Sequence, residues 1–326
     1  MAFTTGILKS SSFSQVTISV GNLKVGGTGK TPHIEYFIQL LSDTYKLATL
    51  SRGYGRKTKG YLLANENHTA ADIGDEPFQI RSKHPNIAVA VCEKRVDGIQ
   101  KLNAEKKDIE VILLDDAYQH RYVKPDLNVL LTEHDDLFMR DYVLPAGRLR
   151  EPKKAANRAD IIIVTKCPKN LTAIEMRSIA IDIKPKEYQK VFFSYLSYAK
   201  LKALNTEAEA LNLKKKDLSE INVILMTAIA NSKKIEKYIS KYHRNAEHLK
   251  YPDHYFYREK DYKLIQSKFK NLTKTKVLIV TEKAAVKLKM DKFLNIPVFS
   301  LPIEVKFHNN SDESFDDYIL DYVRKY

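Results

Sequence analysis

The stretch Val20-Gly21-Asn22-Leu23-Lys24-Val25-Gly26-Gly27-Thr28-Gly29-Lys30-Thr31 decides the fold. An apolar β-branched run ends in it, a glycine-rich loop follows, and a helical pattern begins. Glycines let backbone N–H groups turn inward around phosphate oxygens, which a helix N-terminus also attracts. In that reading Gly26, Gly27, Thr28 and Gly29 cradle the phosphates, Lys30 reaches the outer ones, and the Thr31 hydroxyl ligates Mg²⁺. The usual spacing asks for glycine at position 24, where this chain has lysine; Gly26 and Gly27 supply the flexibility instead.

Working outward, short apolar runs recur at Val16–Val20, Lys46–Leu50, Ile87–Val91, Ile109–Leu114, Leu127–Leu131 and Asp160–Val164. They are apolar almost throughout rather than alternating, as in strands buried on both faces of a parallel sheet. Helical patterns lie between them at Thr31–Leu41, Glu76–Lys83 and Lys94–Glu105. The expected fold class is therefore α/β, a P-loop-like parallel sheet sandwiched by helices. A polar, lysine-rich stretch at Leu204–Glu220 precedes a second βα set. The expected division is 1–198 for the P-loop domain and 199–311 for a smaller α/β domain, with an amphipathic helix at 312–326 packing back on the first.

The chain has 326 residues, 54 Lys+Arg and 40 Asp+Glu, for a net charge of +14. The excess is spread over both parts, with no basic arm or recognised nucleic-acid motif, so no nucleic-acid partner is expected. Two cysteines, Cys92 and Cys167, are too few for a secreted disulfide framework. No stretch reaches the roughly 18 apolar residues of a spanning helix.

A phosphate loop needs a metal-organising carboxylate at a strand end. Val111-Ile112-Leu113-Leu114-Asp115-Asp116 supplies two. Guanine recognition asks for Asn/Thr-Lys-x-Asp; Thr165-Lys166-Cys167-Pro168 lacks the acid, which disfavours GTP. A partition-type ATPase wants a lysine at position 25, and Lys24 is one residue out of register. Gly74-Asp75-Glu76-Pro77 reads two ways locally: Asp75 caps a helix, or it is a base for an acceptor hydroxyl. Arginines recur beside glycines in Ser51-Arg52-Gly53-Tyr54-Gly55-Arg56 and Leu144-Pro145-Ala146-Gly147-Arg148-Leu149-Arg150-Glu151-Pro152, a pattern suited to anions.

Together these motifs, with Leu114-Asp115-Asp116-Ala117-Tyr118-Gln119-His120-Arg121, Thr227-Ala228-Ile229-Ala230-Asn231, Asp253-His254 and Thr281-Glu282-Lys283, resemble the tetraacyldisaccharide 4′-kinases of lipid A synthesis. The resemblance runs from about Gly6 to Leu288. It implies ATP and Mg²⁺ as cofactors and a lipid A disaccharide 1-phosphate as substrate. It implies two domains joined by a two-stranded hinge. It implies Asp75 as base in a dyad with His254, Lys30 and Asp116 as further catalytic groups, and Thr31, Asp115 and Asp116 at the metal. Asn22, Arg52, Tyr54, Gln119, Arg148, Arg150 and Glu151 would line the substrate site. It implies a peripheral enzyme, expected to be a monomer, on the anionic cytoplasmic face of the inner membrane. Departures are Ala117 and Tyr118 for the usual Gly-Phe, and Ala284 for the usual Asp. The family's membrane-docking N-terminal helix is expected to fall almost wholly before Met1, through a shortened chain or an upstream start; if it is missing, scattered lysines are expected to hold the surface. The alternative from another class is a P-loop regulatory ATPase acting through a protein partner.

Overall fold

A computed structural model of the chain describes residues 8–211, 213, 221–229, 231–243, 246–253, 255–270, 276–309 and 314–326. The chain forms two compact units, Met1–Ser197 with Glu304–Tyr326, and Tyr198–Ile303.

In the first unit the apolar runs become strands β1 (Val16–Asn22), β2 (Leu47–Ser51), β3 (Leu62–Leu63), β4 (Ala88–Val91), β5 (Val111–Asp115), β6 (Leu127–Glu133), β7 (Ile161–Thr165) and β8 (Lys190–Tyr198). Helices α1 (Lys30–Leu41), α2 (Ala70–Ile73), α3 (Asp75–Lys83), α4 (Arg95–Glu105) and α5 (Ala173–Ile183) alternate with them. In the second unit β9 (Lys202–Ala203), β10 (Asn222–Thr227), β11 (Glu247–Lys250), β12 (Lys276–Thr281) and β13 (Val298–Leu301) form a sheet in the order β11-β10-β12-β13-β9. Helices α6 (Thr206–Leu211), α7 (Lys233–Tyr242), α8 (Glu259–Lys270) and α9 (Glu282–Ala285) accompany it. The chain then returns through β14 (Ile303–Phe307) and α10 (Phe315–Arg324).

The large sheet runs β14-β8-β7-β6-β1-β5-β2-β4-β3. β1 pairs in parallel with both β5 and β6. The chain order reverses there, which is where α/β sheets gather ligands at the carboxyl ends of their strands. The register puts Val20 beside Asp115 and Leu114 beside Leu50, so the loops after β1, β5 and β2 open side by side. One face buries Ile34, Phe37, Ile38 and Leu41 of α1 with Phe315, Ile319 and Val323 of α10. Phe307 stacks on Phe315 at 3.9 Å, and the Tyr36 hydroxyl donates to Asp316 at 2.6 Å. Among the described residues no helix is long and apolar enough to cross a membrane.

Gly21 is fixed by a close approach. A Cβ there would lie 2.7 Å from Tyr118 Cβ, in the turn after β5. The two loops that carry Lys30 and Asp116 are therefore packed backbone to side chain. Gly21→Ala is expected to lower stability by about 1–3 kcal/mol through overpacking, read as a lower urea midpoint; an unchanged midpoint would show that the turn yields freely.

Candidate active site

The phosphate loop is built by what holds its carbonyls. Gly29 takes the left-handed conformation (φ 90°) directly before α1, and Gly26 also has positive φ (123°). The Thr165 hydroxyl donates to the Thr28 carbonyl at 2.9 Å, and the Lys166 amine donates to that of Gly27. His33 Nδ1 lies 2.7 Å from the Gly29 carbonyl and Nε2 lies 2.9 Å from Ser194 Oγ. A carbonyl can only accept, so Nδ1 carries the proton and Nε2 takes the serine's. Burial pushes the His33 pKa down to about 4, so this ring is neutral at pH 7. Because the peptide is planar, the N–H groups of Gly29 and Lys30 face away from these anchored carbonyls. No acid occupies the first turn of α1, so that helix N-terminus is suited to an anion.

Asn22 ends β1 and is buried. Its Oδ1 receives the Lys30 amine at 3.3 Å and also Arg150 Nη2, and its carbonyl receives Gln119 at 3.0 Å and Arg150 at 2.8 Å. Asp116, at φ 47°, binds Arg150 in a fork at 2.9 and 3.3 Å and lies 3.7 Å from the Lys30 amine. Asn22, Lys30, Asp116, Gln119 and Arg150 thus converge. Asp115 is buried beside them, and its Oδ1 has no hydrogen-bond partner among the described residues. The buried Thr28 hydroxyl also lacks one.

The two acids are driven apart. Burial, then the charge of Asp116, raises the Asp115 pKa to about 7. Burial pushes Asp116 the same way, but Lys30 and Arg150 outweigh it and hold Asp116 below the usual range. A folded carboxyl raised above its unfolded value contributes stability below the unfolded pKa that is lost as pH rises through the folded one. Asp115 therefore favours the ligand-free fold near pH 4 and disfavours it above about 7. Asp115→Asn is expected to flatten the fall in thermal midpoint between these limits; a profile identical to that of the unchanged chain would contradict the shift.

Two neighbours, Arg95 and His120, were assigned no role from the sequence. The buried guanidinium of Arg95 donates to the Cys92 carbonyl at 2.6 Å and the Asp115 carbonyl at 3.2 Å. Burial lowers its pKa to about 10, which leaves it charged at pH 7. Burial, then the charges of Arg95 and Arg52, lowers His120 to about 4, so it is neutral.

The remaining candidates are placed as follows. Asp75 opens α3, buried, with Gly74 as the N-cap, so Asp75 is not the cap that its local sequence allowed. Glu76 is close enough to raise Asp115 by its charge. Exposed Arg52 and Tyr54 flank Gly53 in the loop after β2. A Cβ on Gly74 would lie 3.0 Å from the Tyr54 carbonyl, so this loop packs against the turn that carries Asp75. Thr31 follows Lys30 in the first turn of α1. Arg148 binds Asp136 at 2.7 Å and Asp141 at 3.4 Å, and Glu151 binds Arg158 at 2.9 Å. Lys24 is buried with its amine between Asp136 and Asp141, at 2.5 and 2.6 Å. His254 lies outside the described residues.

The profile of the family described as "Tetraacyldisaccharide-1-P 4'-kinase" (LpxK) matches residues 1–324. The chain belongs to this family. A tetraacyldisaccharide 4′-kinase of Phocaeicola vulgatus is 44% identical over 330 residues, covering 99% of this chain and 90% of the relative. One from Flavobacterium johnsoniae is 43% identical over 324 residues, covering 99% and 92%. The crystal structure of LpxK from Aquifex aeolicus in complex with ATP superposes with a TM-score of 0.73 at 28% identity, covering 99% of this chain and 93% of that one.

Proposed function

We propose that this chain transfers the γ-phosphoryl group of ATP to the 4′-hydroxyl of a tetraacyldisaccharide 1-phosphate. The observation that carries this is the convergence of Lys30, Asp116, Arg150 and Asn22 at an anchored phosphate loop, in a chain of this family.

Phosphoryl transfer needs positioning and charge stabilisation more than covalent chemistry from the protein. The N–H groups of Gly29 and Lys30 and the Lys30 amine receive the phosphate oxygens of ATP. Arg150, fixed by its fork to Asp116, keeps that carboxylate ionised and in place. Asp75 takes the proton of the sugar hydroxyl, with His254 as its partner; the family motif supports that pairing. Arg52, Tyr54, Gln119, Arg148 and Glu151 are assigned to the acceptor side on the same ground.

The donors fit a divalent ion. Asp115 has a buried oxygen without a hydrogen-bond partner, beside ionised Asp116. Thr31, Asp115 and Asp116 would hold Mg²⁺. Among the described residues no three His, Cys, Asp or Glu side chains gather as a cage, which suits an ion that keeps waters and phosphate oxygens in its shell. Bound there, it would supply positive charge against the phosphates.

The enzyme is proposed to act as a monomer, peripheral on the anionic cytoplasmic face of the inner membrane, where its net +14 is complementary. ATP consumption measured with and without acceptor in detergent tests the reading. Turnover should depend on the acceptor, with label from γ-labelled ATP appearing on lipid; acceptor-independent hydrolysis would favour a regulatory ATPase.

A further inference from the structure

The segment after β6 holds three exposed apolar side chains, and the phosphate loop beside it holds a fourth. Tyr142 is 67% exposed, Leu144 51%, Val25 43% and Val143 39%. They are neighbours by backbone pairing. Val25 N–H donates to the Arg148 carbonyl at 2.9 Å, Leu149 N–H to that of Tyr142 at 2.9 Å, and Leu144 N–H to that of Leu149 at 2.9 Å. Residues 142–149 thus form a tongue laid along Lys24 and Val25.

The tongue is pinned by charge. The buried Lys24 amine and the Arg148 guanidinium each bridge Asp136 and Asp141. Asp141 Oδ1 also accepts the N–H groups of Tyr142 at 2.8 Å and Arg148 at 3.2 Å. The Lys24 hydrogen bond holds the Asp141 carboxyl well below the usual range, so the lattice stays ionised. Removing an acid that faces the buried Lys24 amine would leave that charge uncompensated. The lattice therefore keeps the tongue from collapsing onto the protein, and its apolar side chains stay in water.

The surrounding chemistry is that of a bilayer interface. The Lys153 amine sits 5.2 Å over the Tyr142 ring, and Lys154 is exposed at the tongue's base. An aromatic ring with a cation over it, at the edge of an apolar tip, matches the headgroup–acyl boundary, and the exposed lysine beside it matches anionic lipid. We propose that the tongue, led by Tyr142, Val143 and Leu144 with Val25 behind them, inserts into an anionic lipid bilayer. This places the phosphate loop at the surface that holds a tetraacyl substrate, and so rests on the kinase reading for its purpose, though not for its test.

The chain has no tryptophan, so a single introduced one reports alone. Leu144→Trp is mixed with phosphatidylglycerol vesicles, with phosphatidylcholine vesicles and with micellar acceptor. Ile181→Trp, at a 71% exposed position on α5, is the control. A blue shift on phosphatidylglycerol vesicles that the control lacks is the expected result. No shift, an equal shift in the control, or a shift with micellar acceptor only would overturn the proposal, the last by making the tongue an acyl-chain subsite.

The triple variant Tyr142→Ser, Val143→Ser, Leu144→Ser should lose about tenfold or more in vesicle partitioning. Its turnover on detergent-dispersed acceptor should match that of the unchanged chain. Unchanged partitioning, or equal losses in both assays, would count against insertion. If the unchanged chain transfers no label to any acceptor, the kinase reading fails while the tryptophan result still stands.

Discussion

Lys30→Ala is expected to lower kcat by about 10²–10³-fold, the scale of losing one fixed donor to developing charge, and to weaken ATP binding by at least about tenfold. The amine lies 3.7 Å from Asp116 and 3.3 Å from Asn22 Oδ1. It is thus held between a carboxylate and a neutral acceptor, next to N–H groups that can take phosphate. Removing it costs the phosphates a cation and leaves Arg150 and Arg95 to offset Asp116. Calorimetric ATP binding with parallel turnover measurements checks this. Unchanged affinity would remove position 30 from the phosphate site. Lys30→Arg should rescue poorly, because a planar guanidinium on a longer stem does not replace a compact ammonium.

Asp75→Asn should behave differently. A positioned general base contributes about 10²–10⁴-fold, so kcat should fall on that scale while the ATP KM changes little. The asparagine keeps the size of the side chain at the buried start of α3, which limits the effect of packing. A kcat close to that of the unchanged chain would remove Asp75 from the chemistry. A large rise in ATP KM at constant kcat would make it a nucleotide contact instead.

Strands β1, β2 and β4–β7 are read directly, because strands buried on both faces write unbroken apolar runs. β14 is not: Ile303-Glu304-Val305-Lys306-Phe307 alternates, and it lies at the edge of the large sheet after a whole second unit. Helix α5 was overlooked although Thr172 and Glu175 form a capping box that announces it. In the site, Asn22, Lys30, Asp116 and Arg150, which the structure brings together, all lie on the motif stretches the sequence singled out. Arg148 and Arg150 show where local reading stops. Residues two apart through an intervening buried Leu149 take different partners, which the sequence does not show. One goes to Asp136 and Asp141, the other to Asp116.

Thr165-Lys166 has a structural part that the sequence did not show. The pair was weighed only for guanine recognition, and the missing acid at Pro168 ended that line. Its observed contacts are with the Thr28 and Gly27 carbonyls, so it shapes the phosphate loop whatever the base. Lys24 is similar. Judged only as a departure from a glycine or a displaced catalytic lysine, it is the buried centre of the lattice that carries the tongue.

The most direct test of the central claim is the position of the new phosphate. The chain would be incubated with γ-labelled ATP, Mg²⁺ and tetraacyldisaccharide 1-phosphate in detergent, and the lipid product examined by phosphorus–proton correlation. The account predicts a second phosphomonoester on the 4′ carbon, absent when Lys30→Ala is used; label found only in inorganic phosphate would contradict it.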